Sequence, residues 1–151
     1  MLGAMTTRDI PPADTATDPI GSTADLRQRW RALMGPGGFG ERLLRFVFVG
    51  PDRRMLKILS DVPVDRYPQP GLVRNLMVAL REILDAREGH TVALLLTRPG
   101  EGAVCPSDRR WAQLLTEIAA EFGVPIEPVC LATDDRLLIL ESGSGQVAVG
   151  R

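Results

Sequence analysis

The chain has one lysine, one histidine and two cysteines among its 151 residues, and each scarcity closes off a class of function. With His90 as the only imidazole, no histidine cluster is available to hold a metal, and a general base of that type has one candidate position. Cys105 and Cys130 make neither a disulfide framework nor a zinc set. Cys130 sits in an apolar run and reads as a buried, inert thiol. Cys105 stands just before a helix start, where the dipole favours a thiolate, but a catalytic thiol also wants a base beside it. Aromatics are 5% of the chain, which leaves few anchors for an interface. A net charge of −1 supplies no overall positive field, which argues against nucleic acid as a partner. No apolar run approaches the roughly 20 residues that span a bilayer, so no membrane partner is expected. The first residues lack the basic and apolar regions of a signal peptide, and the expected location is the cytoplasm. Lys57 apart, every basic side chain is arginine; with abundant Ala, Gly, Val and Pro this bias points to a high-GC bacterial genome rather than to a functional choice.

What is present is an alternation of helix and strand signals between two polar tails. Residues 1–21, rich in Thr, Asp, Pro and Ala, read as a disordered tail, and residues 142–151 as a flexible one. Between them, residues 22–141 form one expected domain. A first helix is expected at 23–34, capped by Ser22 or Thr23, with Leu26, Trp30, Leu33 and Met34 on its apolar face. The glycine-dense stretch 35–40 has neither the preceding strand nor the spacing of a phosphate loop and reads as a connector. Leu43 to Val49 and Met55 to Leu59 predict a hairpin around Pro51-Asp52, and residues 61–71, broken by three prolines, an extended loop. A strong helix follows from 71 or 72 to 87, with Leu72, Val73, Leu76, Met77, Leu80, Ile83 and Leu84 as its stripe. Residues 92–97, apolar on both faces, predict a covered central strand. A helix capped by Ser107 then runs to Phe122 and stops at Gly123 and Pro125. A last hairpin spans 127–131 and 136–140 around a turn containing Asp134 and Asp135. The fold class is therefore α/β, a mixed sheet with helices packed against it: hairpin, helix, strand, helix, hairpin, preceded by an N-terminal helix.

The loop between the central strand and the next helix is where an α/β protein carries its chemistry. Here Thr97, Arg98, Ser107 and Arg110, together with backbone N–H groups at the helix start, make a candidate anion site. The plainer alternative is that Ser107 only caps the helix, and that the arginines are solvated or pair with Glu101 and Asp108. Asp134 and Asp135 suit a turn better than acid–base work. Trp30 and Tyr67 are the candidate interface aromatics.

From Leu43 to Leu140 the element order and the stretch LTRPGEGAVCPSDRRW resemble a RadC-type member of the JAB/MPN family. That resemblance implies a hairpin, a helix, a central strand, a metal loop, a helix and a final hairpin. The family's loop reads HxHPxG, a variable stretch, then PSxxD; two histidines and the aspartate bind zinc, and a glutamate on the first hairpin activates water. Pro99-Gly100 and Pro106-Ser107 match. Thr97 and Arg98 or Pro99 occupy the histidine stretch, Arg110 stands at the aspartate position, and the first hairpin has no glutamate. No metal ligand and no cofactor is therefore expected. The chain is also similar to a set of short proteins from high-GC bacteria, through RWRALMGPGGF, LLLTRPG, DRRWAQLL and LATDD, and that likeness implies no activity. Cytidine deaminases offer a second fold analogy, but their HxE and PCxxC signatures are missing.

Three readings follow. The first is a non-catalytic JAB-like module, with no catalytic residue, that binds a protein partner or a second copy of itself. The second is a binder of a small anion or a nucleotide phosphate at the 97–110 loop. The third is an atypical hydrolase or deaminase-like enzyme using Cys105 or Asp134.

Overall fold

A computed structural model describes residues 11–35, 41–56, 58–100 and 102–140. The expected 35–40 connector beyond Gly35, Lys57, Glu101 and both extreme tails (1–10 and 141–151) lie outside the described residues. Three helices and five strands follow in the order α1 (Thr23–Met34), β1 (Leu43–Val49), β2 (Ser60–Pro63), α2 (Pro70–Asp85), β3 (Thr91–Thr97), α3 (Pro106–Phe122), β4 (Val129–Ala132) and β5 (Leu137–Leu140). This is the α/β class expected, with a mixed sheet of strand order β2-β1-β3-β4-β5. β1 runs antiparallel to both β2 and β3, β3 and β4 are parallel, and β4 and β5 are antiparallel. Among the described residues no helix is long and apolar enough to cross a membrane.

Side-chain alternation along the strands sorts the core into two halves. Leu44, Val92, Leu94, Leu96, Val129 and Leu131 face α2 and α3, where Val73, Met77, Leu80, Trp111, Leu115 and Ile118 close over them. Val47, Val49, Ala93, Leu95, Cys130 and Ala132 face the other way, onto Leu26 and Trp30 of α1. The sheet is thus covered on both sides, and residues 92–97 are all buried, as a doubly covered strand requires. Helix ends follow their caps. Ser22 Oγ accepts from Asp25 N at 3.1 Å while the Asp25 carboxylate accepts from Gly21 N at 2.9 Å. Gly123 ends α3 with a left-handed φ of 69°. Ile83, expected in the α2 stripe, is instead 41% exposed.

The returning strand of the first hairpin differs from expectation. Met55 bridges Val49, but regular pairing resumes only at Ser60, opposite Phe46. Between them Leu56 N donates to Phe48 O at 2.8 Å, and Ile58 is 71% exposed. The run MLKIL, apolar on both faces, suits a covered strand, whereas its place here is at a sheet edge. The polar stretch SDVP pairs in its stead through backbone alone, with Pro63 at its last position.

Residues 11–21, expected within the disordered tail, are packed. A 3-10 turn at Ala13–Thr17 buries Ala16, and Ile20 is 3% exposed. The domain's guanidinium groups hold this segment by its carbonyls: Arg29 donates to Asp18 O and Pro19 O at 3.0 Å, Arg54 to Thr17 O at 3.1 Å, and Arg53 to Ile20 O at 3.3 Å. The segment has little to bury of its own, so its composition carries no trace of a docking supplied by other residues.

Arg53 also makes a two-pronged pair with Glu127, at 2.7 and 2.8 Å, and Thr91 Oγ1 donates to the same carboxylate at 2.6 Å. The Arg53 hydrogen bonds, helped by Thr91, hold the Glu127 carboxyl below its ordinary value of 4.5 against the opposing effect of burial. A depressed folded-state pKa gives stability that is complete above the unfolded value and is lost as pH falls through the folded one. Melting temperatures of the parent and Glu127→Gln should therefore differ most above pH 4.5 and converge on acidification. A gap that stays constant into acid would show that Glu127 titrates as it does in the unfolded chain.

Candidate functional site

At the end of β3 the strand's alternation decides which side chains reach which layer. Thr97 shares a face with Ala93 and Leu95 and points toward the α1 side. There its hydroxyl accepts from Leu43 N at 3.2 Å and faces Glu41 O, also at 3.2 Å. Thr97 is wholly buried and takes no part in the candidate anion site.

Arg98 begins the loop and is itself buried, at 7% exposure. Its Nε donates to both Asp108 oxygens at 3.0 and 3.1 Å, Nη1 to Pro99 O at 3.3 Å and Nη2 to Ala103 O at 3.1 Å. The hydrogen bond to Asp108 raises the Arg98 pKa above its ordinary value, against the opposing effect of burial. Asp108 also accepts from Cys105 N at 2.9 Å, so its carboxylate closes the first turn of α3. The helix accordingly begins two residues earlier than expected: Cys105 is the N-cap, Pro106 the first helical residue, and Ser107 lies inside the helix and buried. Cys105 Sγ lies 3.2 Å from both Ser107 Oγ and Asp108 Oδ2.

These elements wall a cavity of about 600 Å³, lined by Arg98 to Gly100, Ala103, Cys105 to Ser107, Arg110, Arg42 and the pair Arg66-Tyr67. Three of the four expected residues, Arg98, Ser107 and Arg110, therefore meet there. Arg42 and Arg66 are additions with no local sequence signal. Arg42 comes from the residue before β1, and Arg66 from the loop between β2 and α2. That loop is pinned to α3 by the Trp111 indole, which donates to Asp65 O at 3.1 Å and Arg66 O at 3.0 Å. Arg98 is neutralised by Asp108. The guanidinium groups of Arg42, Arg66 and Arg110 have no ion-pair or hydrogen-bond partner among the described residues. Among the described residues that line the cavity there is no carboxylate and no histidine.

The remaining candidates separate. Trp30, expected at an interface, is wholly buried between α1 and the sheet. Tyr67, 57% exposed, stands at the rim of the cavity. His90 precedes β3 while Cys105 follows it, so the length of the strand, about 20 Å at ~3.3 Å per residue, separates them and no thiol–imidazole pair forms. Asp135 accepts from Thr133 Oγ1 at 3.0 Å within the turn, whereas Asp134 accepts from Gly100 N at 2.9 Å and ties the turn to the β3–α3 loop. Burial pushes the Cys130 thiol up to about 12, consistent with an inert core cysteine. Among the described residues no group of three or more His, Cys, Asp or Glu is placed to hold a metal ion. No protein-family model, no curated protein and no solved structure matches the chain.

Removing one member of a buried ion pair strands the other without compensation. Asp108→Ala should therefore cost about 3–5 kcal/mol of unfolding free energy in urea titrations. Arg110→Ala, at an exposed position with no partner, should leave the transition where it is. Equal effects of the two substitutions would mean that the Arg98–Asp108 pair does not brace the loop.

Proposed function

We propose that this protein is a binding module for a small phosphate-type anion, held in the cavity between the β3–α3 loop and the β2–α2 loop. One observation carries the reading: Arg42, Arg66 and Arg110 converge on a single cavity and have, among the described residues, neither a counter-ion nor a lining carboxylate. Three like charges around one cavity repel one another, and an anion bound among them turns that cost into attraction. Guanidinium groups suit this work because their planar forks match two phosphate oxygens at once. In the first turn of α3 Pro106 has no N–H and the Asp108 amide is taken by the Cys105 side chain, which leaves the Ser107 amide to add a donor.

The resemblance to the JAB/MPN family supports the same location. The order of elements from β1 to β5 is the order that family implies, and the cavity is walled by the loop that carries its metal. Zinc does not fit this loop. Thr97 turns to the opposite face, Arg98 is spent on Asp108, and Arg110 adds positive charge where a carboxylate would be needed. We therefore infer a module of that type in which a cation site has given way to an anion site. The protein-interaction reading keeps only Tyr67 of its two aromatics, and the hydrolase reading has no imidazole beside Cys105, whose carboxylate neighbour Asp108 is committed to Arg98.

Pyrophosphate tests the proposal. A ligand that binds only the folded state stabilises it by mass action, and ~1 kcal/mol moves the melting temperature of a domain of this size by several degrees. Pyrophosphate should raise the melting temperature of the parent protein and slow alkylation of Cys105, which lines the cavity. Arg110→Ala should weaken both effects about tenfold, the loss expected for one charge-assisted contact. Absence of any shift at millimolar pyrophosphate in the parent would overturn the reading.

A further inference from the structure

We infer, resting on the anion reading, that the ligand is a nucleoside diphosphate whose phosphates lie among Arg42, Arg66 and Arg110 and whose base stacks on Tyr67. A phosphate alone leaves most of a 600 Å³ cavity unfilled, and a volume of that order suits a ligand of nucleotide size. Tyr67 is the chain's only tyrosine and, at 57% exposure, one of its few large side chains left open to solvent. Its position next to Arg66 puts an aromatic face beside a phosphate-binding cation at the rim of the same cavity.

The backbone that carries the ring is also held in place. The Trp111 indole fixes the carbonyls of Asp65 and Arg66, Gln69 Oε1 accepts from Asp65 N at 3.0 Å, and Pro68 restricts the backbone of Tyr67. A platform fixed before the ligand arrives has little ordering entropy left to lose on binding. Three guanidinium groups unpaired among the described residues balance the charge of a diphosphate better than that of a single phosphate. Stacking on a phenol ring tolerates any base, so purine and pyrimidine nucleotides should bind alike.

Calorimetric titration of the full chain with ADP, UDP and pyrophosphate tests this. ADP and UDP should bind within a few-fold of each other. Tyr67→Ala should weaken both about tenfold or more while leaving pyrophosphate unchanged, and Tyr67→Phe should bind as the parent does. If pyrophosphate binds but Tyr67→Ala leaves ADP affinity untouched, the nucleotide inference falls and the anion reading stands. If Tyr67→Ala weakens pyrophosphate equally, the ring acts by shaping the loop and stacking is overturned. If neither ADP nor pyrophosphate binds, both readings fall together.

Discussion

The Arg98–Asp108 pair is the constraint on which the candidate site depends. Removing a guanidinium and a carboxylate from water is expensive, and attraction between them offsets it only when the remaining hydrogen-bonding capacity is also used. Here it is used. Arg98 spends its donors on Asp108, Pro99 O and Ala103 O, and Asp108 closes the first turn of α3 by accepting from Cys105 N. One pair therefore does three jobs: it caps a helix, braces a loop containing two left-handed glycines (Gly100 and Gly102), and joins that loop to the end of β3. A hydrophobic pair of equal volume would give comparable stability without fixing the path of the loop. What the ion pair contributes is shape, and the cavity is that shape.

Arginine serves two opposite purposes in this chain. Arg29, Arg53, Arg54, Arg81 and Arg98 donate to backbone carbonyls, and so tether segments by their main chain. The docking of residues 11–20 is the clearest case, since three of these guanidinium groups hold it. A lysine ammonium, a compact and strongly hydrated charge, holds such fixed geometries less well than a planar fork. Arg42, Arg66 and Arg110 make no such bond, and all three open onto one cavity. A bias in composition toward arginine over lysine does not by itself produce this division between tethers and groups unpartnered among the described residues.

Much of the fold was legible because periodicity and caps are local signals. α1, β1, β3 and the end of α3 lie where apolar spacing, Ser22 and Gly123 put them. The second strand was not legible, since the run from Met55 to Leu59 has strand composition, whereas Met55 makes a single bridge and regular pairing falls to Ser60–Pro63. Residues 11–21 were misread because their partners lie far along the chain. The site was half legible for the same reason. A strand, a glycine-bearing loop and a helix start located it, and Arg98, Ser107 and Arg110 do meet there. Thr97 dropped out through strand parity, which a one-residue difference inverts. Trp30 dropped out because an aromatic on an amphipathic face is more valuable in the core than at an interface. Arg42 and Arg66 carried no signal at all, because only the sheet topology brings them in.

That topology explains the charge pattern. β1 and β3 are antiparallel with Leu43 opposite Thr97, so the residue before β1 and the residue after β3 emerge side by side, and both are arginine. On the other flank β3 and β4 are parallel, with Thr97 opposite Ala132, which brings Ala132 O to Arg98 N and the β4–β5 turn, through Asp134, to Gly100. Two arginines delivered to one strand end would repel one another were both charges left unmatched. Asp108 removes that conflict by neutralising Arg98 inside the fold, leaving Arg42 to face the cavity with Arg66 and Arg110. The acidic residue at the third position of α3 thus stabilises a helix N-terminus and also decides which arginines remain available to a ligand.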